Sequence, residues 1–273
     1  MVKQKQYTTD LKDEEWAVLA PYLKRLMPPE RTGRPIEHEL RLLIDAVRYL
    51  LRNGCTWRDL PGDFPPWQSV YYHYGKWREA GVWRKLNKHL RRALRKQLGR
   101  NEEPSAGCAD SQSVKAGSFR NNGYDGAKSV NGSKRHLLVD TLGLVLVALV
   151  TAANLPERQG LAHLLSRSRH QLPRLHHIWL DKGYRGKDFL ARMLLCFAVV
   201  LEIVAAPKGT KGFVLQHRRW VVERTFAWLG NYRRLARNYE QLNSSSEAFI
   251  YLASCDLMIK RLAGTNATPW RLR

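Results

Sequence analysis

The segment KRHLLVDTLGLVLVALVTAAN, Lys134 to Asn154, limits what this chain can fold into more than any other stretch. Two apolar runs flank Thr-Leu-Gly, and Gly143 supplies a pivot, which is the pattern of a β-hairpin. Other strand signals surround it: AGCADSQSV before, then HHIWLDKGY and Val199 to Ala205 after. Helical stretches at Leu161–His170 and Asp188–Leu195 separate them. Strand, hairpin, helix, strand, helix, strand, helix predicts an α/β domain on a mixed sheet. The antiparallel hairpin argues against a doubly wound nucleotide-binding sheet.

The first hundred residues follow a different period. Trp16, Leu19, Leu23 and Leu26 keep helical spacing until Pro28-Pro29. A second helix carries Leu40, Leu43, Ile44, Val47, Leu50 and Leu51, with Gly54 placed to end it. A short helical piece at Thr56–Leu60, a Pro/Gly turn and a helix from Trp67 to Ala80 outline a helix-turn-helix. Packing is the alternative role for Trp67, Val70, Tyr71, Tyr74 and Trp77. A basic helix, Val82–Leu98, runs into GRNEEPS, which reads as a linker. The expected division is a helical domain at 1–98, a linker at 99–105, an α/β domain at 106–263 and a disordered tail at 264–273.

Charge narrows the partner. Lys and Arg number 46 against 24 Asp and Glu, a net charge of +22. Both sides of Arg100 are basic, so no single tail accounts for the excess. A polyanion is the expected partner, and nucleic acid suits it better than a membrane. The apolar runs Leu142–Ala153 and Met193–Leu201 fall short of the roughly 18 to 20 residues of a span. MVKQKQYTTD carries no apolar signal segment. Four isolated cysteines, without a CxxC pair, fit a reducing cytoplasm rather than a disulfide framework or structural zinc site.

Acids in the α/β part are scarce, which makes their positions informative. Asp110 is expected at the end of the first strand and Asp181 at the end of the fourth. If those strands are parallel neighbours, both side chains emerge at one sheet edge. Glu223 lies in HRRWVVERTFAWLGNYRRLARNYE, read as one long helix able to pack against that edge. Three carboxylates suit a hard divalent cation and leave positions for water and phosphate. Asp140 is a rival whose hairpin position suggests a turn cap. Glu202 interrupts a strand without basic neighbours, and Glu240 would lie roughly 25 Å along the helix from Glu223. For Glu223 the plain alternative is a salt-bridged acid on a cationic face.

The motifs ADSQSVK, GSKRHLLVDTLGLVLVALVTAAN, IWLDKGYRG and RRWVVERTFAWLGNYRRLARNYE together resemble the DDE transposases of bacterial insertion sequences. CTWRDLPGDFPPWQSVYYHYGKWREAGVW is similar to the helical N-terminal domain of the same group. The resemblance implies an RNase H-like catalytic domain with Asp110, Asp181 and Glu223 as catalytic, metal-binding acids. It implies Mg²⁺, two ions per site, with Mn²⁺ able to substitute. Where related transposases carry a Tyr-Arg-Glu-Lys signature, this chain keeps Arg219 and Glu223 but has Gln216 and Gly230 at the outer positions. The implied activity is cleavage at the ends of an insertion sequence and strand transfer of 3′-hydroxyl ends into target DNA.

The implied partners are double-stranded DNA, as terminal inverted repeats and target, and a second copy in a homodimer. The implied location is the bacterial cytoplasm, at the nucleoid, with no membrane. Expected DNA contacts are Lys115, Lys134, Arg135, His136, Lys182, Arg185, Arg218, Arg219, Arg224, Arg233 and Arg234. In the helical domain they are Arg78, Arg84, Lys85 and Arg91. A nuclease or resolvase that cuts without joining, and a catalytically silent DNA-binding descendant, are the alternatives.

Overall fold

The computed structural model describes residues 7–27, 38–117, 122–168, 170–204 and 219–265. Two compact units are present. The first comprises residues 1–100, Asn231–Leu235 and the chain from Ala248 onward; the second comprises Asn101–Gly230 and Ala236–Glu247.

The helical unit contains α1 (Asp13–Leu26), α2 (Leu40–Asn53), α3 (Trp67–Glu79) and α4 (Val82–Gln97). Helix α1 starts where the Glu15 carboxylate accepts the Lys12 amide, at 3.3 Å. Helix α2 stops at Gly54, whose φ of +74° suits a residue without a Cβ. Leu43, Val47, Leu50, Val70, Tyr74, Trp83, Leu86 and Leu90 are buried, and each buried aliphatic side chain contributes roughly 1.5–3 kcal/mol. The expected short helix at Thr56–Leu60 is not formed. Residues 57–60 are turns and bends, where Thr56 Oγ1 donates to the Asp59 carboxylate at 2.9 Å. The helix-turn-helix outline is thereby reduced to α2 and α3 packed together across a long irregular connection.

The second unit is built on β1 (Ala106–Lys115), β2 (Gly123–Asp125), β3 (Val130–Asp140), β4 (Val145–Ala152), β5 (His177–Leu180) and β6 (Val200–Ile203). β3 and β4 form the expected hairpin. β3 also pairs antiparallel with β1, while β1–β5 and β5–β6 are parallel. An antiparallel β4–β3–β1 half joined to a parallel β5–β6 half is the RNase H-like arrangement. Asp140 is the turn cap: its Oδ1 accepts the amides of Leu142 and Leu144, both at 2.9 Å, and Gly143 takes φ +82°. Helices α5 (Glu157–Ser168) and α6 (Lys187–Phe197) supply residues to a core with Leu138, Val147, Leu149, Ile178 and Leu180. Helix α7 (Trp220–Gly230) packs on β1 and β3.

Two expectations from sequence fail in this region. The stretch ending at Glu240 is not one long helix, because α7 ends at Gly230 and only a short 3₁₀ turn, Arg233–Leu235, follows. Tyr232 explains the break: its ring is buried in the helical unit and its hydroxyl donates to Asp256 at 2.8 Å. The rise-per-residue separation of Glu240 from Glu223 therefore does not apply. The last helix, α8 (Asn243–Leu262), was expected wholly in the α/β domain, yet from Ala248 it belongs to the helical unit. Phe249 stacks on Tyr74 there, and Ser254 accepts from Asn87 at 2.9 Å. The expected tail begins at Gly264, and residues 266–273 of it lie outside the described residues.

Candidate active site

Asp110 sits in the middle of β1, not at its end, because β1 continues to Lys115 paired with β3 alone. Its ladder with β5 stops at Cys108–Trp179, so Asp110 and Asp181 each lie two residues beyond the last parallel pair. Parallel register thus brings the two acids to one edge of the sheet. Asp181 caps the 3₁₀ turn Lys182–Tyr184, its Oδ1 accepting the Gly183 amide at 2.9 Å. Asp110 Oδ1 accepts the Ser111 amide at 2.7 Å.

A third acid stands beside them, and sequence reading missed it. Glu157 opens α5, and its Oε1 accepts from Ser111 Oγ at 2.9 Å and from Lys128 Nζ at 3.3 Å. A Cβ at Gly183 would fall 2.6 Å from Glu157 Oε2 and 3.1 Å from Asp181 Oδ1, so glycine there leaves room for both carboxylates. Burial, then the charges of Asp181 and Glu157, push the Asp110 carboxyl up to about 6, although the Ser111 amide and Lys128 oppose the rise. The buried Tyr184 hydroxyl, next to the same three acids, is pushed well above its ordinary value by burial first. One sequence cue existed: Leu155-Pro156-Glu157 directly after the hairpin marks a helix start.

Glu223 is placed differently. It is exposed on α7, 2.8 Å from Arg219 one turn earlier, and it is not among the charges that act on Asp110. Its neighbours along the helix are as expected: Ala227 and Gly230 share the exposed face, and Val222, Phe226 and Leu229 are buried. Among the described residues no group of three His, Cys, Asp or Glu is drawn closely enough to hold a metal ion. The donor chemistry nevertheless suits a hard divalent cation, since paired aspartate oxygens held close enough to repel gain from a positive charge between them.

The expected phosphate contacts divide sharply by burial. Lys134 is buried, paired with Asp125 at 3.2 Å and donating to the Leu155 carbonyl at 3.1 Å. Arg135 donates to the Arg237 carbonyl, and burial alone lowers its guanidinium to about 10. His136 is bonded to Thr151 at 3.0 Å, lowered to about 3 chiefly by burial, and so closely covered by α5 that a Cβ at Gly160 would meet its ring. Arg91 is also buried, and Arg234 lies over Trp57 and Phe249 while donating to the Cys55 carbonyl at 2.9 Å. Arg224 is half-buried between Trp220 and Trp228 and donates to the Leu142 carbonyl at 3.1 Å. These six are corrected from surface contacts to internal braces, because local sequence records a charge but not its direction.

Lys115, Lys182, Arg185, Arg233, Arg84 and Lys85 are exposed. Arg78 is half-buried beside Glu79, and Arg218 lies outside the described residues. Glu202, the rival acid, is engaged elsewhere: it accepts from His177 at 2.8 Å and Trp179 at 2.9 Å across the β5–β6 ladder. No helix among the described residues is long and apolar enough to cross a membrane.

Comparison with known proteins adds to this geometry. Residues 11–87 match the family described as putative transposase of IS4/5 family, and residues 101–256 match the transposase DDE domain. A putative transposase for insertion sequence element IS402 from Burkholderia cepacia is 32% identical over 131 residues. That match takes in 45% of this chain and 61% of the relative, so the chain spans about three fifths of that relative's length. An uncharacterized 16.2 kDa protein of the same element is 28% identical over 113 residues, 38% of this chain and 71% of the relative. The strand transfer complex of Mos1 aligns over 98% of this chain and 81% of its own, at 10% identity. Its TM-score is 0.23, too low to support an argument.

Proposed function

We propose, because this chain belongs to the family of transposases with a DDE domain, that it cleaves DNA at the ends of an insertion sequence and joins the freed 3′-hydroxyls to target DNA. The observation that carries this reading is the register of β1 and β5, which gathers Asp110 and Asp181 at one edge, where the charge of Asp181 adds to the effect of burial in raising the Asp110 carboxyl. A divalent cation, Mg²⁺ or Mn²⁺ and two per site, would supply Lewis-acid chemistry to the attacking and leaving oxygens of an in-line displacement. Asp110 and Asp181 would hold it, and Glu223 would complete the set from α7. Exposed Lys182 and Arg185, directly after Asp181, would hold the substrate's phosphates without entering the reaction.

The substrate is double-stranded DNA, bearing the element's terminal repeats or serving as target. Two ends must be handled together, so we infer a homodimer acting in the bacterial cytoplasm. Exposed Arg84 and Lys85 on α4 are candidates for contact with the element end. A strand-transfer assay with pre-cut 3′-hydroxyl ends tests the proposal. Joined products are expected. Cleavage of intact ends without joining would indicate a nuclease or resolvase, and binding alone a silent descendant.

A further inference from the structure

The feature that the proposed reaction leaves unused is Glu157. It is separated from Ser111 by 46 residues, yet the fold anchors one of its oxygens on Ser111 and Lys128 and leaves the other over Gly183, in the turn that Asp181 caps. That connects three pieces of backbone: β1 just after Asp110, the start of α5, and the turn after β5. Tyr184 closes the same cluster, buried and hydrogen-bonded to Ser111. Two carboxylates, Asp181 and Glu157, stand against one lysine, Lys128, among the charges that act on Asp110. The first turn of α5 favours a carboxylate, but at this position the Glu157 charge also acts on Asp110 and raises it.

We propose that Glu157 is a positioning residue of the divalent-cation site. Through Ser111 and the Gly183 turn it fixes the separation of Asp110 and Asp181, and its charge deepens the negative field in which the cation binds. The inference rests on the transposase reading above and adds to it an acid outside the Asp110, Asp181 and Glu223 set. It also accounts for Gly183, since any side chain there would displace Glu157 or Asp181.

Titration of the full-length chain with Mn²⁺ alone, without DNA, tests it by paramagnetic resonance or calorimetry. Glu157→Gln should weaken Mn²⁺ binding at least tenfold, Glu157→Asp should recover part of the loss, and Glu202→Gln should bind as the native chain does. Thermal melting of each variant shows whether the fold persists. Should Glu157→Gln fail to fold, Ser111→Ala removes the anchoring hydroxyl and is expected to weaken binding severalfold. Native-like Mn²⁺ affinity in Glu157→Gln, or in Ser111→Ala where only that variant folds, would overturn the inference and leave the transposase reading intact. If the native chain itself binds no Mn²⁺, the transposase reading falls and the inference falls with it.

Discussion

Asp256 in the helical unit and Asp110 in the α/β unit are the same residue in two low-solvent settings, and their electrostatics run in opposite directions. Asp256 is buried but surrounded by donors: Arg48 at 2.9 and 2.5 Å, Tyr232 at 2.8 Å and Lys260 at 3.0 Å. Burial raises its carboxyl, yet Arg48 and Lys260 prevail and hold it well below the carboxylate range. Asp110 has one backbone amide and the charge of Lys128 against burial and two acids, and it rises to about 6. Burial therefore does not separate an acid that its fold satisfies from one that it strains. The partners do: Asp256 is satisfied by its own fold, whereas Asp110 lacks a positive charge that a cation could bring.

The largest effect expected from breaking this contrast is at Asp256. Asp256→Asn leaves Arg48 buried without its main counter-charge and should destabilise the fold by about 3–5 kcal/mol in denaturant titration. A loss below ~1 kcal/mol would mean that the ion pair is not what holds α2 to α8.

Asp110→Asn should move stability the other way. A carboxyl held at about 6 instead of 3.8 is a strained charge at neutral pH, and its removal should stabilise by about 1–3 kcal/mol. Added Mg²⁺ is expected to stabilise the native chain, and the same substitution should abolish that gain. A lower melting temperature for Asp110→Asn would show that the site stores no repulsion.

The pH dependence sharpens the comparison further. A raised native pKa means that the folded state binds more protons than the unfolded chain, so the Asp110 contribution is fully present below 3.8 and is lost as pH rises to about 6. Asp45, also raised to about 6 mainly by burial, gives the same slope in the other unit. The difference between native and Asp110→Asn stability curves should therefore grow between about pH 4 and 6 and flatten above. Asp256 has the opposite sign, its contribution being present above 3.8 and lost in acid. A native-minus-mutant curve flat across that window would contradict the assignment.

Glu223→Gln should have the smallest effect on stability, within about 0.5 kcal/mol, because its partner Arg219 and the acid itself are in contact with solvent. Metal-dependent cleavage and joining should be lost while DNA binding remains, and Glu202→Gln should retain activity. Full activity in Glu223→Gln would place the third catalytic acid elsewhere.

What was legible in the sequence was what depends on spacing along the chain. Helical period gave α1 and α2, Gly54 gave the end of α2, and Thr-Leu-Gly after Asp140 gave the β3–β4 turn and its cap. The order of Asp110 and Asp181 in two strand segments gave their meeting at one sheet edge, since the parallel register carries each two residues past the last β1–β5 pair. Side-chain direction and distant partners were not legible. Lys134, Arg135 and His136 looked like a basic patch, but β3 lies between β1 and β4 and buries all three. Tyr232 ended a helix that its neighbours would have continued, because its ring and hydroxyl are satisfied in the other unit. Glu157 joined the acids only because the sheet register and the start of α5 bring residues 46 positions apart within 2.9 Å. Local period and turn chemistry are written in neighbouring residues, whereas the field at a carboxylate is set by whatever the tertiary fold places around it.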